Sequence, residues 1–162
     1  MTDKQHTISK RHTLKGVGLH TGVQVELTFC PAEINAGITF KRVDIEGQPV
    51  IPADVDFVSE TARGTTLLKD GVQVSTVEHA LAAAAGLQID NLVIELNGPE
   101  VPILDGSAKL FIEGLIEAGI VEQDAAREYY ELKTNFFFND PSRDVEIIGV
   151  PGDSYRVKVM ID

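Results

Sequence analysis

At 162 residues the chain is sized for one domain, or for one domain and part of another. Hydrophobic residues make up 43%, enough for a core, but aromatics are only 6% and tryptophan is absent, so aliphatic side chains must fill it. A net charge of −11 repels a nucleic-acid backbone, so no nucleic acid is expected as a partner, and no stretch is apolar for long enough to be a transmembrane segment.

The charge is uneven. Residues 1–43 carry six Lys and Arg against three acids, and the remainder carries eight against twenty-two. The first residues, MTDKQHTISKRH, are polar and lack the apolar stretch of a secretory signal. Cys30 is the sole cysteine, which excludes an internal disulfide and fits a cytoplasmic location.

Thr7–Leu14 is the first strand candidate. The turn-like segment Gly16-Val17-Gly18-Leu19-His20-Thr21-Gly22 follows. It lacks the spacing of a dinucleotide loop and leads into a strand rather than a helix, so its glycines are read as a tight turn presenting His20. Val23, Val25, Leu27 and Phe29 alternate with polar residues, the period of a half-buried strand. Gly37–Val43 is a second such strand, and Pro49 and Pro52 mark a loop. Thr65–Leu68 and Val72–Val74 flank Lys69-Asp70-Gly71 as a hairpin, because Asp-Gly accepts positive φ at low cost.

A helix is expected to begin at Ser75 or Thr76 and to stop at Gly86; its four alanines predict close packing. Asn91–Leu96 reads as a strand. Ser107 caps a second helix, with Leu110, Phe111, Leu115 and Ile116 on one face and Gly119 as the stop. The fold class expected is α+β, a sheet with helices packed on one face.

From residue 128 three strand-like runs follow, Glu128–Phe138, Val145–Val150 and Tyr155–Ile161, with turns at Asn139–Ser142 and Pro151–Ser154. No helix follows to cover them, and a bare sheet face needs a partner. The expectation is an N-terminal domain over 1–126 and the incomplete start of a second, similar α+β domain over 127–162, with the boundary near Asp124–Arg127.

Three segments are candidates for chemistry. In Ser75-Thr76-Val77-Glu78-His79 the S-x-x-E spacing is that of a capping box, in which Glu78 does no more than bond the Ser75 amide. The alternative is functional. The first turn of a helix suits a carboxylate, the form that accepts a proton, and a neutral imidazole, the form that binds a metal. The segment is not H-E-x-x-H, since Ala83 stands where a second histidine would be, and His6, His12 and His20 all lie earlier in the chain. His20 is the second candidate. The third is Asn97–Ser107, an acidic, proline-stiffened loop in which Asp105 or Ser107 either caps the next helix or serves a site.

Taken in order, GVGLHTG (16–22), PAEINAGITFKR (31–42), STVEHA (75–80), IDNLVIEL (89–96) and PEVPILDGSA (99–108) give a chain that resembles the UDP-3-O-acyl-N-acetylglucosamine deacetylases of lipid A biosynthesis over about residues 7–125. The resemblance implies two related α+β domains with the active site between them, and a single zinc that activates water to hydrolyse an acetamide on a sugar nucleotide. It makes Glu78 the general base and His79 a zinc ligand. It makes His20, Arg63 (in the substrate-facing loop Thr61–Thr66) and Asp105 supporting or substrate-proximal residues. The family's other zinc ligands, a histidine and an aspartate four residues on, belong to its second domain, and no histidine follows His79 here. The Zn2+ site is therefore expected to be incomplete, and residues 1–162 alone are expected to bind zinc weakly and to be inactive. Some family members are fused to a hydroxyacyl-carrier-protein dehydratase, and the resemblance leaves room for such a fusion. Two other readings stand beside it: a non-catalytic binding or assembly module of the same fold, and a metal-free hydrolase pairing Glu78 with Asp105.

Overall fold

The computed structural model describes residues 3–161; Met1, Thr2 and Asp162 lie outside them. The chain divides into two compact units, Met1–Arg127 and Glu128–Asp162. In chain order the first contains β1 (Lys4–Ile8), β2 (His12–Val17), β3 (Gln24–Pro31), β4 (Ile38–Arg42), β5 (Val50–Pro52), β6 (Val58–Glu60), β7 (Thr66–Lys69) and β8 (Val72–Val74). Helix α1 (Glu78–Gly86), β9 (Leu92–Leu96), helix α2 (Lys109–Ala118) and β10 (Ile120–Ala126) complete it.

A five-stranded sheet in the order β2-β3-β9-β4-β5 is the centre of this unit. All its pairings are antiparallel except β4 with β9. The alternation predicted for β3 holds from Val25 on: Val25, Leu27 and Phe29 are buried, as are Leu92, Ile94 and Leu96 on β9 and Phe40 on β4, whereas Val23 precedes the strand and is exposed. Each large apolar side chain so buried contributes ~1.5–3 kcal/mol, which makes this face the main source of stability. The helices lie against it. Phe111 of α2 meets Phe29 edge-on at 6.5 Å between ring centres. The alanine run gives α1 a slim face, with Ala80, Ala83 and Ala84 fully buried, and α1 packs against α2. The architecture is thus α+β.

Several expectations are corrected. Thr7–Leu14 is two strands: β1 ends at Ile8 and β2 begins at His12. The Pro49–Pro52 loop contains β5, an edge strand whose proline needs no ladder partner on its outer side. Ile116 faces solvent, and Gly114 and Ala118 take the buried positions beside Phe111 and Leu115. Gly86 is the last residue of α1 rather than the stop after it; Gln88 (φ 57°) makes the left-handed turn. Gly119 (φ 76°) ends α2 as expected. The Asp-Gly hairpin forms with φ of 49° and 78° at Asp70 and Gly71.

Strand β10 was not legible in its polar sequence. It pairs antiparallel with β1. Around that pair runs a network of buried amides: Asn91 Nδ2 donates to Gln5 Oε1 (2.8 Å) and Gln123 Oε1 (2.7 Å), and Gly37 N donates to Asn91 Oδ1 (2.9 Å). Every one of these polar groups is answered, which is what makes its burial tolerable. Arg42, also buried, grips Asp44 with two bonds of 2.8 Å and donates to the Gln73 carbonyl at 2.8 Å, tying β4 to β8.

The second unit holds one antiparallel hairpin, β11 (Phe136–Asp140) with β12 (Val145–Gly149). Residues 128–135 and Tyr155–Ile161 are not strands, against expectation; among the described residues neither run has a ladder partner. No helix among the described residues is long and apolar enough to cross a membrane.

Candidate active site

The turn between β2 and β3, the loop after β6, the residues leading into α1 and the loop after β9 converge on a cleft of about 230 Å³, lined among others by His20, Arg63, Gly64, Thr76 and Glu100. A larger hollow of about 840 Å³ lies against β1 and β10; none of the site residues expected from the sequence lines it.

Glycines in the first turn are explained by crowding as well as by backbone freedom. Gly22 (φ 64°) makes the turn itself. Gly16 and Gly18 instead admit the chain at 100–102: a β-carbon on Gly16 would stand 2.9 Å from Pro102 Cβ, and one on Gly18 would stand 2.9 Å from Glu100 Cδ while overlapping Glu100 Oε2 and Thr21 Oγ1. Gly18 and Pro102 form a β-bridge there. The turn leaves His20 exposed, with Nε2 3.2 Å from the carbonyl oxygen of Arg63. A carbonyl only accepts, so Nε2 carries the proton, and in the neutral ring Nδ1 holds the lone pair.

Glu78 opens α1 and is half-buried. The capping box does not form. No side chain caps the helix, Ser75 Oγ pairs with Thr66 Oγ1 instead, and Glu78 Oε2 accepts from Thr65 N at 2.9 Å. Gly64 lets the carboxylate approach the loop: a β-carbon there would lie 3.2 Å from Glu78 Oε1. Among the described residues Oε1 accepts no hydrogen bond, so one oxygen is anchored and the other is left to take a proton.

His79, the next residue, is also half-buried, and its ring makes no hydrogen bond among the described residues. It has the right chemistry for a zinc ligand. A catalytic zinc needs three protein ligands and an open position. Among the described residues no three His, Cys, Asp or Glu side chains converge to supply them.

Asp105 stands apart from the cleft lining. It is exposed and accepts from Ser107 N (3.0 Å) and Ser107 Oγ (2.9 Å), bonds that hold its carboxyl below the usual carboxylate range. Ser107 Oγ in turn accepts from Lys109 N at 3.1 Å, so the pair braces the start of α2. The structure therefore puts His20 and Arg63 in the lining of one cleft, sets the Glu78 carboxylate beside that lining against Gly64 and Thr65, and places Asp105 at the lead-in to α2. His6 lies on β1, and His12 lies on β2 with its ring against Gly114 of α2.

The residue that sequence reading passed over is Glu100. It is wholly buried, yet it accepts from His20 N (3.0 and 3.2 Å to its two oxygens), Thr21 N (2.8 Å), Thr21 Oγ1 (2.8 Å) and Thr76 Oγ1 (3.0 Å). Burial pushes its carboxyl up, but the donors of His20, Thr21 and Thr76 outweigh this and hold it below the usual range. The only sequence signal was an acid set among Pro99, Val101 and Pro102, where an exposed loop would be expected.

The chain matches the family model described as LpxC, UDP-3-O-acyl N-acetylglycosamine deacetylase, over residues 5–162. It is 47% identical over 158 residues to a protein of Porphyromonas gingivalis named bifunctional enzyme LpxC/FabZ, covering 98% of this chain and 34% of that protein. It is 45% identical over 159 residues to the UDP-3-O-acyl-N-acetylglucosamine deacetylase of Saccharophagus degradans, covering 98% of this chain and 52% of that one. The Myxococcus xanthus protein of the same name is 44% identical, with 98% and 50% covered. The chain thus spans between about a third and about half the length of these curated relatives.

Proposed function

The chain belongs to the UDP-3-O-acyl N-acetylglycosamine deacetylase family, and from that premise we propose that the whole protein removes the acetyl group of UDP-3-O-acyl-N-acetylglucosamine in lipid A biosynthesis, with zinc as cofactor. The observation that carries the reading is a family match along the chain together with one cleft lined by His20, Arg63 and Gly64, with the Glu78 carboxylate held beside it by the Thr65 amide.

Glu78 is the general base. The Thr65 amide holds Oε2, and Oε1 takes the proton of the attacking water. His20, held through Nε2 by the Arg63 carbonyl, presents its other nitrogen to bind or orient substrate. His79 contributes one imidazole to zinc, with the other ligands coming from outside the described residues. Bound zinc supplies a water of lowered pKa and polarises the amide carbonyl. A nucleotide-sugar substrate and a free thiol at Cys30 are in keeping with the cytoplasm as the place of action. The bifunctional name of the Porphyromonas gingivalis relative supports a fused second enzyme.

The test uses the full-length protein, with deacetylation and bound metal measured for wild type, Glu78→Ala and His79→Ala. Loss of a positioned general base costs about 10²–10⁴-fold in turnover, so Glu78→Ala should fall by that range with zinc largely retained, and His79→Ala should lose metal. Near-normal turnover in both variants overturns the assignment. A wild-type protein that binds the sugar nucleotide without turnover would instead be a binding module.

A further inference from the structure

Glu100 is a fully buried carboxylate that the proposed chemistry does not use. Removing such a group from water is costly unless donors replace the solvent. Its donors come from two separate pieces of chain. His20 N, Thr21 N and Thr21 Oγ1 belong to the turn between β2 and β3, and Thr76 Oγ1 belongs to the lead-in to α1. The backbone follows the same path: Ser75 N donates to Pro99 O at 2.9 Å, and Val101 N donates to Ser75 O at 3.0 Å. Thr76 has φ 59°, a strained conformation for a β-branched residue, and its hydroxyl bond to Glu100 helps hold it there. Glu78 follows two residues later.

We propose that Glu100 is a positioning residue: one carboxylate, bonded at once to the His20 turn and to Thr76, sets the placement of His20 in the cleft relative to Glu78 at the start of α1. The inference rests on the deacetylase reading, but its test does not depend on it alone.

In the full-length protein, Glu100→Ala removes the tie. Glu100→Gln keeps the shape and most of the tie: the amide oxygen can accept from Thr21 N, Thr21 Oγ1 and, at the longer 3.2 Å, His20 N, while the NH2 donates to the Thr76 hydroxyl and only the 3.0 Å bond from His20 N is lost. Glu100→Ala should lower kcat by about 10²-fold with KM within about 3-fold, and Glu100→Gln should recover most of that loss. A residue that moved protons itself would be as inactive with Gln as with Ala, and a purely structural one would lower Tm while the folded protein kept its kcat; either result overturns the proposal. If Glu100→Ala does not fold, Thr21→Val carries the test. It should cost about 3–10-fold in kcat and be non-additive with His20→Ala, and full additivity overturns the proposal. Amide hydrogen exchange gives a readout independent of turnover. The Thr65 amide touches neither Thr21 nor Glu100 but reports on Glu78, so Thr21→Val should speed exchange at Thr65 as well as at His20. Unchanged exchange at Thr65 refutes the coupling even if the protein proves to have no deacetylase activity.

Discussion

Gly18→Ala puts the crowding at the site to a quantitative test. The added carbon would sit 2.9 Å from Glu100 Cδ and overlap Glu100 Oε2 and Thr21 Oγ1. Neither neighbour is a free flexible end. Glu100 is enclosed and bonded on both oxygens, and Thr21 is one of its donors. Overpacking of this kind costs ~1–3 kcal/mol, and a broken hydrogen bond to a charged group costs ~1.5–3 kcal/mol. Moving Thr21 relieves part of the clash at the expense of its bond, so the two costs overlap, and about 3 kcal/mol is expected. At ~2–4 °C per kcal/mol for a protein of this size or somewhat larger, Tm should fall by about 6–12 °C. Urea unfolding followed by far-UV circular dichroism measures the energy. Gly86→Ala is the control: nothing lies within 4 Å of its added carbon, and the position is helical, so it should stabilise by up to about 1 kcal/mol. A Gly18→Ala protein within about 0.5 kcal/mol of wild type, the range of an ordinary surface change, would show that the packing argument is wrong.

Cys30 should be inert in the native protein. Burial, with the Glu95 carboxylate beside it, pushes its thiol up to about 11, so a disulfide reagent at pH 8 should react slowly until denaturant is added; fast native reaction would contradict this. Arg42→Met strands Asp44 and the Gln73 carbonyl and should cost about 1–3 kcal/mol in urea unfolding. Acid should destabilise the fold through Asp44, held below the usual range by its Arg42 bond, and through Glu100. A carboxyl whose folded pKa is depressed contributes stability that is complete above its unfolded value of about 4 and is lost as pH falls through the folded value. The unfolding free energy should therefore decline below about pH 4, and less steeply in Glu100→Gln; identical slopes would rule out Glu100 as a contributor.

Where local chemistry decides structure, the sequence was readable. Alternation in β3, Asp-Gly at the β7–β8 hairpin and Gly119 after α2 each carry their own physical cause. The misses are long-range. The polar run of β10 becomes a strand because β1 pairs with it and Gln123 answers Asn91. Tyr155–Ile161 has strand composition but, among the described residues, no ladder partner. The site divides in the same way. His20 and Glu78 were found through motifs; the structure puts His20 in the cleft lining and Glu78 beside it, bonded to the Thr65 amide. The capping box was a plausible local bond that lost to Thr65, thirteen residues upstream. Glu100 was overlooked because its donors lie far off in sequence, with the His20 amide eighty positions away.

The pairing of β1 with β10, Lys4 opposite Ala126 and Ile8 opposite Ile120, has a consequence for biosynthesis. The first strand of this unit bonds to its last. At ~5–20 residues per second, β1 spends about 6–25 seconds without that neighbour. Throughout this interval Ile8, which ends almost fully enclosed opposite Ile120, and the Gln5 amide that later donates to the Ala126 carbonyl lack those partners. Nascent chains stalled before Ile120 should therefore be more open to protease near their amino end than those stalled beyond Arg127.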